Sequence, residues 1–70
     1  MNEALRAARI AAEKTQAQIA KEAKITEQAY QRYEYGSSTP NVRTAIRIAR
    51  ALGTSAEALF GDTKNGSDAL

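Results

Sequence analysis

The chain of 70 residues contains no cysteine and no histidine. Disulfide staples, thiolate or imidazole metal sites, and catalysis by either side chain are therefore excluded by inventory. No apolar run approaches the ~20 residues that a membrane span needs, and the first residues lack the charged-then-apolar layout of a secretory signal. A cytoplasmic setting is the expectation. No segment has the alternation or β-branched density of a strand, and no internal repeat is present. The charge imbalance is small, +2 overall, which permits a polyanionic partner without requiring one. Asp62 and Asp68 outweigh Lys64 near the end of the chain, so the preceding part is slightly more basic.

What is present suits one folded unit. Hydrophobic residues make up 43% and charged residues 26% of the chain, a balance that argues against disorder over most of its length. A core divided in two at this length would not offset the entropy of ordering either half, so a single domain is expected. The carboxylates are scattered singly, each within a few residues of a Lys or Arg, as on solvated helix faces. No catalytic constellation, metal site, cofactor site or small-molecule site is expected, and the chain is read as a non-enzyme.

Capping signals divide the sequence into five short helices. Asn2 precedes a segment in which Leu5, Ala8, Arg9 and Ala12 share one face, which puts Arg9 on the inner side, the wrong side for a charge. Thr15, with Gln18 three residues on, opens a second helix with Ile19, Ala20 and Ala23 inward, ending near Lys24. Thr26 opens a third, with Tyr30 and Tyr33 on one side and Glu27, Gln28, Gln31 and Arg32 on the other, and Gly36 stops it. After a Gly-Ser-Ser-Thr-Pro loop, Asn41 caps a fourth helix whose inner stripe reads as Val42, Ala45, Ile46, Ala49 and Leu52, closed by Gly53. Ser55 opens a fifth, bearing Leu59 and Phe60, and Gly61 ends it. The expected organisation is an all-α, compact five-helix domain over residues 1–61, with residues 62–70 as a flexible tail.

Two short helices joined by a few residues must cross, and a small residue at Ala20 lets the second approach the first. The third helix then turns its polar face outward. Gln, Arg and Glu are the side chains that read adenine, guanine and the cytosine amino group. Gln16 and Ala20 four apart, then Thr26, then Glu34, Gly36 and Pro40, then Ala45, Ile48, Ala49, Leu52 and Gly53, in that order and spacing, resemble the Cro/repressor-type helix-turn-helix family (lambda-repressor-like, XRE). The resemblance covers roughly residues 4 to 60.

The resemblance implies that the third helix enters the major groove of a DNA operator, with Glu27, Gln28 and Arg32 reading bases and Gln31 counted with them. It implies backbone contacts from Thr15, Gln16, Thr26, Tyr35, Asn41 and Arg43, with Gln16 holding a phosphate and bracing Gln28. It pairs Arg9 with Glu34, making Arg9 structural. Arg47 and Arg50 are expected to face water or a partner subunit. A homodimer on DNA is expected, with Leu59 and Phe60 as candidate contacts between subunits. Two departures carry expectations. Lys24 stands where the family prefers glycine, so the turn is expected to be less tight. Tyr30 and Tyr33 replace aliphatic residues, so their hydroxyls need water, a partner or a phosphate. The rival reading is a helical protein-interaction module, an antirepressor or adaptor, that keeps the fold without specific DNA binding.

Overall fold

Every helix begins on a short polar side chain that takes over a backbone N–H left without a helical partner. The computed structural model describes residues 1–61 and gives α1 (Glu3–Ala11), α2 (Gln16–Ala23), α3 (Glu27–Tyr35), α4 (Val42–Leu52) and α5 (Ala56–Phe60). Asn2, Thr15, Thr26, Asn41 and Ser55 accept from the backbone N–H of Leu5, Gln18, Ala29, Thr44 and Ala58 respectively. Thr15 and Gln18 close a reciprocal capping box, in which the Thr15 N–H donates to Gln18 Oε1 at 2.7 Å. The expected tail, residues 62–70, lies outside the described residues.

The core is a single cluster drawn from all five helices except the outer faces: Leu5, Ile19, Ala20, Ala23, Tyr30, Ile48, Ala49 and Leu59. α2 packs on α3 and α4, while α5 closes against α1 and α4. Ala20 is buried where α3 crosses α2, and a larger side chain there would push the two backbones apart. Asn2 binds three elements together: its N–H donates to Glu34 O at 2.9 Å and its Nδ2 donates to Leu59 O at 2.9 Å.

Two expectations about packing are corrected. In α4 the inner stripe is Ala45, Ile48, Ala49 and half-buried Leu52, while Val42 and Ile46 are 66% and 40% exposed. Both stripes have helical spacing; Ile46 lies roughly 100° around the helix from Ala45, and contact with α2 and α5 decides which one turns inward. Leu59 is only 3% exposed and belongs to the core of its own chain, so its side chain is not free to meet a second subunit; Phe60 is half-buried.

The turn between α2 and α3 is as tight as a glycine would make it, which also corrects the sequence expectation. Lys24 adopts φ 63°, ψ 43°, and the N–H of Ile25 returns to Ala20 O at 2.9 Å. The left-handed backbone costs a side chain with a Cβ about 1 kcal/mol, the lower end of its usual range. Lys24→Gly is therefore expected to raise stability by about 0.5 to 1 kcal/mol, read as a higher midpoint in urea denaturation.

Candidate nucleic-acid interface

The helix that presents the candidate site is anchored from its inner side by a buried carboxylate. Glu34, 4% exposed, is the one buried charged residue among those described. Arg9 Nε donates to Glu34 Oε2 at 2.7 Å and Arg9 Nη2 to Oε1 at 3.1 Å; Tyr30 Oη donates to Oε2 at 2.8 Å and Gln16 Nε2 to Oε1 at 2.9 Å. Each carboxylate oxygen accepts two hydrogen bonds, so the charge is both paired and fully solvated by protein. Arg9 Nη1 also donates to Lys14 O at 3.1 Å, which ties the loop before α2 into the same group. The Tyr30 hydroxyl thus finds a protein partner, the carboxylate one helical turn ahead of it. An inward Tyr and Glu four residues apart were visible in the sequence and could have suggested this contact.

Burial pushes the Glu34 carboxyl upward, but the donors Arg9, Tyr30 and Gln16 outweigh it and hold the group below its ordinary value of 4.5. Burial, and then the hydrogen bond to Glu34, push the Tyr30 phenol well above its ordinary range. Because the folded pKa of Glu34 lies below the unfolded one, its stabilisation is complete above about pH 4.5 and is lost as pH falls through the folded value. Melting temperature is therefore expected to fall below about pH 4.5, and Glu34→Gln, lower in stability at neutral pH, should flatten that acid limb.

On the opposite side of α3 from Tyr30 and Glu34, Gln28 and Arg32 are exposed; Glu27, also exposed, lies one heptad before Glu34 on its stripe and lines the same cleft, and Gln31 is half-buried between the two faces. Neither Gln28 nor Arg32 has a side-chain hydrogen bond or ion pair among the described residues. Gln16, the first residue of α2, stands beside this face. It does not brace Gln28 as expected: its Nε2 is taken by Glu34, and its Oε1 accepts from Gln31 Nε2 at 3.4 Å. Thr15 and Thr26 spend an oxygen lone pair on helix caps, leaving each hydroxyl proton free to donate. Tyr35, exposed, lines one open cleft with Thr15, Gln16 and Glu27. Asn41 and Arg43 are exposed at the start of α4, where the Asn41 Oδ1 caps the Thr44 N–H. Arg47 and Arg50 are exposed further along, beside Lys24.

Lys14 was missed in the sequence. Its Nζ donates to Ala51 O at 2.9 Å and to Glu22 at 2.8 Å, fastening the loop before α2 to the last turn of α4. No local pattern announces a contact across 37 residues of chain.

A short helix crossed by a second one with its polar face outward, both built on one small core, defines a DNA-binding helix-turn-helix domain. The helix-turn-helix family model matches residues 5–59, and the chain belongs to that family, the XRE/lambda-repressor-like helix-turn-helix proteins. No curated protein and no solved structure matches the chain. Among the described residues no helix is long and apolar enough to cross a membrane.

Proposed function

We propose that this domain, residues 1–61, binds a specific duplex sequence as a bacterial or phage-encoded transcription regulator of the repressor or Cro kind, acting in the cytoplasm. α3 lies in the major groove, where Gln28 and Arg32 read base edges and Glu27 and Gln31 flank them. Thr15, Gln16, Thr26, Tyr35, Asn41 and Arg43 meet the sugar-phosphate backbone, which sets register without carrying sequence. The observation that carries this reading is the two-sidedness of α3: Tyr30 and Glu34 are buried, while Gln28 and Arg32 stand exposed on the other side. Polar side chains with no partner among the described residues, on a helix held rigid from behind, suit recognition of an outside surface.

The domain acts as a two-fold dimer on DNA, its half-sites one helical turn apart, with the exposed residues of α5 and the half-buried Phe60 as the contact. Selection of bound duplexes from a random pool tests both points. The expected result is a two-fold symmetric consensus with half-site centres about 10 base pairs apart. A pool without enrichment at low salt would favour the protein-interaction reading instead.

A further inference from the structure

We propose that Gln16 is a positioning residue: it fixes the amide of Gln31 so that Gln31 and Glu27 offer only hydrogen-bond acceptors, and together they select a base with an amino group in the major groove, cytosine or adenine. This rests on the reading of α3 as the groove-facing helix and adds which chemical groups one part of it accepts.

The Glu34 carboxylate can only accept hydrogen bonds, so the nitrogen end of the Gln16 amide must face it, as the 2.9 Å contact shows. The Gln16 oxygen is thereby turned toward α3 and meets Gln31 Nε2 at 3.4 Å. The same nitrogen reaches Glu27 Oε2 at 3.5 Å. Both contacts are long and individually weak, but they agree. Turning the Gln31 amide over would set its oxygen against two others, those of Gln16 and Glu27.

With both of its N–H groups engaged, Gln31 has only Oε1 left for a base edge, and the Glu27 carboxylate likewise only accepts. In the major groove the amino groups of adenine and cytosine are the donors, whereas guanine and thymine present acceptors at the corresponding edge. A guanine or thymine facing this pair leaves acceptor against acceptor in a desolvated contact. Gln28 carries no such constraint and keeps both donor and acceptor for adenine. The arrangement also gives Glu27 a reason to sit in a groove flanked by phosphates, because the amino group donates a hydrogen bond to its carboxylate.

The test uses the selected duplex with single base analogues that lack the amino group, pyrimidin-2-one for cytosine and purine for adenine. For the wild-type chain, one position whose sensitivity survives Gln28→Ala should lose about tenfold or more in affinity. Gln16→Leu, folded by circular dichroism, should reduce that loss below about threefold while leaving the preference set by Arg32 in place. If Gln16→Leu does not fold, Gln31→Met removes one of the two acceptors without touching Glu34 and should likewise reduce the same loss below about threefold. The proposal is overturned if the wild-type chain tolerates every such removal, or if the folded variant keeps the full loss. In either case specific binding by α3 would stand. Equal wild-type affinity for selected and scrambled duplexes would remove both.

Discussion

Arg9→Met will destabilise the domain by about 3 to 5 kcal/mol. The substitution keeps most of the aliphatic stem but removes three hydrogen bonds, two to Glu34 and one to Lys14 O, and the only cation paired with Glu34 among the described residues. Glu34 then stays buried with an uncompensated charge, which costs about 3 to 5 kcal/mol. A domain of this size has a total stability of about 3 to 9 kcal/mol, so the loss consumes from about a third to all of it. Thermal denaturation should show a melting temperature lowered by roughly 15 °C or more. Adding Glu34→Gln to Arg9→Met should recover part of the loss, because the stranded charge is gone, one of Tyr30 and Gln16 still finds the amide oxygen, and the Tyr30 hydroxyl can also accept from an amide N–H. If Arg9→Met melts within a few degrees of the wild type, the buried carboxylate is not what anchors α3.

The second large effect is on binding. Arg32→Ala should cost about 1 to 3 kcal/mol against the selected duplex, and it should relax preference at one base position rather than weaken all sequences alike. Its side chain is exposed and engages no partner among the described residues, so folding stability should change by no more than about 0.5 kcal/mol. Arg43→Ala separates the two kinds of contact. It should weaken selected and scrambled duplexes equally and reduce the slope of log affinity against log salt by about one. A base preference unchanged in Arg32→Ala would place that residue on the phosphates instead.

The fold could be read from the chain because its punctuation is local. Asn2, Thr15, Thr26, Asn41 and Ser55 act through the third residue along, and Gly36 and Gly53 end helices through their own backbone conformation, so each signal is complete within a few residues. The outward placement of Gln28 and Arg32 follows from helical spacing once Tyr30 is taken as inward. Choices made by tertiary contact were not legible. Ile46 and Ile48 are equally apolar, and only the position of α2 and α5 turns Ile48 in and Ile46 out. Leu59 looked available for a partner because a five-residue helix shows no inner face by itself; its burial depends on α1 and α4. The orientation of Gln16 depends on the Glu34 carboxylate, 18 residues away in sequence. The pairing of Arg9 with Glu34 came only from family likeness, since nothing in the spacing joins two residues 25 apart.

Direct comparison of affinities is the most decisive measurement: titration of the wild-type chain with a selected duplex and with a scrambled one of the same length, over a series of salt concentrations. Base reading by α3 predicts a ratio on the order of a thousandfold in favour of the selected duplex, with both affinities falling as salt rises. Equal affinities at every salt concentration would mean that the exposed face of α3 does not read sequence.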